Sequence, residues 1–155
     1  MESASKSIIV EAPIGTVYNQ YTQFEQFPQF MQGVKSVQQM DDTTLHWTAD
    51  IAGKETSWTA KITEQVPDKV IAWESTSGRV NHGRAMFTPQ GADQTQVQVQ
   101  MRYEPEGFVE NVGDALGLVT ARMEGDLQRF KHFVEQRGQE TGAWRGEVHG
   151  GQTTT

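Results

Sequence analysis

The chain contains no cysteine. That absence excludes a disulfide framework and any thiolate chemistry, and it suits a reducing compartment. Long hydrophobic runs are also missing. The longest apolar stretches hold a handful of residues, far short of the roughly 20 that span a bilayer as a helix, so no integral membrane association is expected. Positive charge is in deficit, with 13 Lys and Arg against 20 Asp and Glu, a net charge of −7. Without a basic face to neutralise phosphates, nucleic acid is not an expected partner. The acidic balance serves solubility. The opening Met1-Glu2-Ser3-Ala4-Ser5-Lys6 has no basic patch followed by an apolar core, so no secretory signal is read there and a cytoplasmic location is expected. What remains is 155 residues, the size of one domain, able to bury about two-thirds of its unfolded surface.

Within that frame the apolar residues change period along the chain. Lys6 to Glu11 reads as a strand centred on Ile8, Ile9 and Val10. Ala12-Pro13 breaks it, and Pro13 suits the first position of a helix. Ile14, Val17, Tyr18 and Tyr21 then recur at helical spacing. A second short element, Phe24 to Met31, carries Phe24, Phe27, Phe30 and Met31 around Pro28 and reads as a broken helical turn.

From Gly33 the period becomes two. Val34 to Met40 is a strand, and Leu45, Trp47, Ala49 and Ile51 alternate with His46, Thr48 and Asp50. Ala52-Gly53-Lys54 connects to a strand with Thr56, Trp58, Ala60 and Ile62 on one face. Val66-Pro67-Asp68-Lys69 predicts a type I turn. Val70 to Thr76 and Val80 to Thr88 follow as strands, and the last strand sets Val97, Val99, Met101 and Tyr103 against Gln96, Gln98, Gln100 and Arg102.

After Glu104-Pro105-Glu106-Gly107 the period lengthens again. Val109, Val112, Leu116, Val119, Met123, Leu127, Phe130 and Val134 fall three or four apart, predicting one long helix to about Gln136. From Gly138 the composition turns to Gly, Glu and Thr. The expected organisation is therefore one domain over residues 1–137 and a flexible tail over 138–155. Its fold class is α+β: a curved antiparallel sheet of about six to seven strands around a long C-terminal helix, with two short helices after the first strand.

This ordered set resembles the helix-grip fold of the START-like superfamily, in its polyketide cyclase/dehydrase and coenzyme-Q-binding-like branch. The resemblance covers about residues 5 to 137. It rests on the strand before Ala12-Pro13, the helix with Val17 and Tyr18, and the aromatic cluster Phe24-x-x-Phe27-Pro28-x-Phe30-Met31. It rests also on Pro67-Asp68-Lys69-Val70-Ile71-Ala72-Trp73, on Ser77-Gly78, Asn81, Gly83 and Phe87, and on the terminal helix. Such a resemblance implies an internal cavity that takes a hydrophobic small molecule, but the fold alone does not fix what is done with it.

Choosing the inward face by alternation yields the candidate ligand-binding residues. Trp47, Trp58, Trp73, Phe87, Met101 and Tyr103 come from the sheet. Leu116, Val119, Thr120 and Met123 come from the long helix, and Phe24, Phe27, Phe30 and Met31 from the short element. Any one of these aromatics reads more readily as core than as ligand contact; as a group they exceed what a small core needs. Pockets of this kind carry few polar groups, and the same parity supplies Thr56, Ser75, Asn81 and the Tyr103 hydroxyl. Tyr103, Asn81 and Ser75 are the weak catalytic candidates. His82 and Arg84 fall on the wet face, and His46, His132 and His149 have no metal-site spacing. Neither Glu104 with Glu106 nor Glu110 with Asp114 reads as a shielded acid–base pair. No cofactor and no metal is expected.

Two functions fit. The first is binding or transfer of a hydrophobic small molecule: a lipid, a quinone or a polyketide-like aromatic. The alternative is a polyketide cyclase or dehydratase acting on an aromatic or poly-keto substrate. The ligand's identity, a transient membrane or partner contact and the oligomeric state stay open at this level.

Overall fold

The computed structural model describes residues 2–51, 53–77, 81–103 and 115–154, with side chains except at positions 2, 51, 81, 103, 115–119 and 154. β1 (Glu2–Val10) leads into α1 (Ile14–Tyr21) and a 3-10 helix (Phe24–Gln29). Six strands follow: β2 (Val34–Gln39), β3 (Thr44–Ile51), β4 (Lys54–Val66), β5 (Val70–Ser77), β6 (Asn81–Gly91) and β7 (Gln94–Tyr103). The long helix α2 (Ala115–Arg137) comes next, then β8 (Glu147–His149) and β9 (Gln152–Thr154). Of the expected long helix, Val109, Val112 and the turn at Gly107 lie outside the described residues.

The sheet runs β1-β7-β6-β5-β4-β3-β2, with β8 and β9 attached beside β4. All pairings are antiparallel. The first strand pairs with the seventh, so α1 and the 3-10 helix carry the chain from one edge of the sheet to the other. The meander then walks back. This is the helix-grip arrangement that the change of period predicts.

Its core lies between the inner sheet face and the helices. Ile62, Ile71, Ala85 and Val97 are fully buried on the sheet side. Met123, Leu127, Phe130 and Val134, spaced four, three and four apart, form the buried stripe of α2. Each such side chain contributes about 1.5–3 kcal/mol when fully buried. On the far side of the stripe Arg122, Glu124, Gln128 and His132 are exposed. Polar ties hold α2 along β1: Lys131 Nζ donates to the Ile9 carbonyl at 2.9 Å, and the Glu11 amide donates to Glu135 at 2.7 Å.

Several local expectations shift. Pro13 sits just before α1 rather than inside it, with extended ψ of 152°; its carbonyl accepts the first helical bond, from Val17 at 3.1 Å. Asp68 takes a left-handed φ of 63°, which a type I turn does not contain. In β4 the pairing register slips between Ile62 and Glu64. That bulge reverses the alternation, so Gln65 rather than Glu64 turns inward and is 1% exposed.

The largest departure concerns residues 138–154. Their polar composition suggests a flexible tail, yet this segment folds back across α1 and supplies β8 and β9. Gly150 (φ 60°) and Gly151 (φ 79°) close the β8–β9 hairpin, a two-residue loop that needs positive φ at both positions. Val148 is fully buried against the core, and β8 pairs with β4 at Glu64 and Gln65.

One glycine has a direct packing role. Gly83 lies opposite Trp73 in the β5–β6 register, and a Cβ there would stand 2.5 Å from Trp73 Cζ2. The indole lies over the bare backbone. Gly83→Ala should cost about 1–3 kcal/mol through overpacking and shift tryptophan emission to the red in urea unfolding experiments. Unchanged stability and emission would contradict this placement of Trp73.

Candidate functional site

The inner face carries its tryptophans where the alternation puts them. Trp47 and Trp58 are direct cross-strand partners on β3 and β4. Their rings stack at 5.8 Å between centroids with 7° between planes. Ala49 and Ala60 flank the pair and leave room for the indoles. Phe27 tilts against Trp47 at 5.7 Å. The Trp47 indole nitrogen is buried and has no hydrogen-bond partner, and a donor left in that state is costly unless something meets it. The ring itself is half-buried.

Other candidates divide by environment. Met31, Trp73, Met101 and Thr120 keep partial exposure. Across the strands Ala4, Met101, Gly83, Trp73 and Ile62 form one inward row. Phe24, Phe27, Phe30, Phe87 and Met123, by contrast, are each no more than 6% exposed. Phe27 meets Phe24, Phe30 and Tyr21 edge-on, and Phe30 meets Phe130. These rings pack on one another and leave little of their surface to a ligand.

The polar candidates are spread. Ser75 is half-buried on the Trp73 face and pairs with Ala60. Asn81 and Tyr103 face one another in the β6–β7 register, but their side chains, like those of Leu116 and Val119, lie outside the described residues. Glu104, Glu106, Glu110 and Asp114 lie outside them as well. Thr56 donates to the Lys54 carbonyl at 3.4 Å.

Sequence reading missed a clamp at the end of the 3-10 helix. Asp126 and Arg129, on the polar flank of α2, reach the loop that follows Phe30. The Gln32 amide donates to Asp126 at 3.0 Å, Arg129 Nε donates to the Phe30 carbonyl at 2.8 Å, and the two side chains pair with each other. Gly33 completes the turn with φ 84°, where a Cβ would meet the Asp50 carbonyl at 2.9 Å. The loop beside Met31 is therefore held to the helix by backbone contacts that no apolar pattern reveals.

Comparison with known proteins places this architecture. The sequence matches, over residues 10–131, the family described as polyketide cyclase/dehydrase and lipid transport. The chain belongs to that family. An uncharacterised 17.2 kDa protein of Streptomyces lincolnensis, encoded in the melC2–rnhH intergenic region, is 46% identical over 149 residues, covering 96% of this chain and 99% of that one. Among solved structures, a START superfamily protein from Mycobacterium smegmatis superposes with a TM-score of 0.73 at 19% identity, covering 87% of this chain and 98% of the other. The Zhui aromatase/cyclase of Streptomyces sp. R1128 gives 0.71 at 16% identity over 92% and 99%. At such identities these two establish the fold alone. Membership of the polyketide cyclase/dehydrase and lipid transport family supports a hydrophobic small-molecule ligand or a cyclase role. Among the described residues, no helix is long and apolar enough to cross a membrane.

The clamp has a pH signature. Burial raises the Asp126 carboxyl above its ordinary range, although the Gln32 amide and Arg129 pull it down. A raised native pKa means the folded state holds the proton more tightly. This contribution is fully present below the unfolded value of 3.8 and is lost as pH rises through the native one. Asp126→Asn should therefore gain stability relative to wild type between pH 3.5 and pH 7 in urea titrations. A relative loss over that window would contradict the assignment. Asp126→Ala, which frees the exposed Gln32 amide to water, should cost no more than about 0.5–1.5 kcal/mol at pH 7, the net worth of one hydrogen bond.

Proposed function

We propose that this protein binds or carries a hydrophobic small molecule against the inner sheet face, at the Trp47–Trp58 end. The observation that carries this reading is the stacked tryptophan pair with a buried, unpartnered Trp47 N–H. A flat apolar surface with one directed donor suits a planar ligand bearing an oxygen acceptor, such as a quinone or polyketide-like aromatic, better than a plain acyl chain. Half-buried Met31, Trp73 and Met101 add adaptable apolar surface on the same face. Of the expected ligand-binding set, Asn81, Tyr103, Leu116 and Val119 stay in the proposal, while Phe27, Phe30, Phe87 and Met123 serve as its packed backing.

Binding of a planar lipophilic probe should quench tryptophan emission. Trp47→Phe, which keeps an aromatic ring but removes the N–H together with part of the indole face, should weaken it at least about tenfold, since one hydrogen bond alone is worth about 1.4 kcal/mol. Equal affinity in the variant would sink the role given to the Trp47 N–H.

A second reading, a cyclase or dehydratase, draws on the facing positions of Asn81 and Tyr103 on adjacent inner strands. Ser75 is the third candidate for that chemistry. A positioned donor beside a substrate oxygen is what such catalysis requires. Tyr103→Phe combined with Asn81→Ala should abolish turnover of a poly-keto substrate, with a loss in kcat beyond any weakening of probe binding. Undiminished turnover would remove both residues from the reaction.

A further inference from the structure

A second cluster of buried polar atoms surrounds Tyr18 of α1, beside the C-terminal segment. The Tyr18 hydroxyl, both amide atoms of Gln65 and Asp68 Oδ1 are all buried without a hydrogen-bond partner. Tyr18 is 0% and Gln65 1% exposed. Burial raises the Tyr18 hydroxyl to about 12, and the Gln65 amide, which lies toward it, pulls it down; the contact falls short of hydrogen-bond geometry.

Arg145 joins this group to the strap. Its guanidinium donates to Asp68 Oδ2 at 2.8 Å and to Asn19 Oδ1 at 2.7 Å, and it sits 5.5 Å above the Tyr18 ring. Further ties run alongside. The Thr141 amide donates to Gln20 at 2.9 Å, the Trp144 amide to Thr22 Oγ1 at 3.2 Å, and Asn19 to Glu140 at 2.7 Å. Val148, fully buried, closes the side where β8 pairs with Gln65.

Tyr18 and Asp68 lie beside the Arg145 guanidinium and Gln65 lies toward the Tyr18 hydroxyl; orphaned polar atoms from three such neighbouring side chains are rare in a folded interior. They offer donors (the Tyr18 hydroxyl and Gln65 Nε2) and acceptors (Gln65 Oε1 and Asp68 Oδ1) together. A buried water typically makes two to four hydrogen bonds to groups of this kind. We propose that the segment 138–154 is a strap that seals ordered water between Tyr18, Gln65 and Asp68, with Arg145 as its latch. The site is separate from the Trp47–Trp58 pair. The rings of Phe87, Tyr21 and Phe27 stand in series between Tyr18 and Trp47. The strap also lies beyond residues 10–131, the part that matches the family.

The test uses the full chain. A crystal structure that resolves ordered water should show a peak about 2.6–3.2 Å from atoms of at least two of Tyr18, Gln65 and Asp68, lost in Gln65→Leu. A dry site in which Tyr18 and Gln65 bond each other directly would overturn the proposal. In solution, a long-lived water should give a water–protein NOE to the Gln65 side-chain amide of the wild-type chain, a readout that needs no variant. Arg145→Ala should remove that NOE and speed exchange of the Val148 amide at least tenfold, with β6–β7 amides unchanged. Retention of the NOE and of slow exchange in Arg145→Ala would refute the latch.

Discussion

Phe130 is the point at which the layers of this protein meet. Its ring, 1% exposed, touches Tyr21 of α1 at 5.3 Å and Phe30 after the 3-10 helix at 5.2 Å. From there ring contacts pass through Phe27 to Trp47, the last of them tilted, and edge-to-face through Phe87 to Tyr18. Rings in this geometry gain about 0.5–1.5 kcal/mol each beyond their buried area. They also fix one another's orientation. The helix cannot slide or rotate in the grip of the sheet without breaking several of these contacts. Both polar features that bear on function, the Trp47 donor and the cluster under the strap, stand at the ends of this aromatic series.

The series also decides where an occupant can be. Because Phe24, Phe27, Phe30 and Phe87 fill one another's surroundings, they act as the rigid back of the proposed site. The half-buried indoles and methionines are the surfaces still open to contact. Asp126 and Arg129 hold the adjoining loop by its backbone, so the position of Met31 is set by α2 as well as by the sheet. Rigid support of this sort lowers the ordering cost of binding. It is consistent with a family whose description joins polyketide cyclase/dehydrase with lipid transport, since one architecture can serve different functions.

Much of this was legible from residue order. The alternation around Trp47 and Trp58 and the three-four spacing of Met123, Leu127, Phe130 and Val134 carry strong periodic signals, because burial on one face demands them. Gln65 was hidden because one bulge after Ile62 inverts the parity on which face assignment depends. The clamp was hidden because its acceptors and donors are partly backbone, which every sequence has. The strap was misread through composition: Gly150-Gly151 between short polar strands looks like a loose end, although it is also the residue pair that a tight hairpin requires. Single aromatics such as Phe87 gave no sign of whether they face a cavity or another ring.

The central claim is that the Trp47–Trp58 end of the inner face holds a planar, oxygen-bearing apolar molecule. Native mass spectrometry of the intact protein purified from its own host tests it most directly. The account predicts a stoichiometric adduct, released on denaturation, that extracts into organic solvent and absorbs as a conjugated ring system. A protein that is always empty, with tryptophan emission indifferent to planar lipophilic probes, would contradict it.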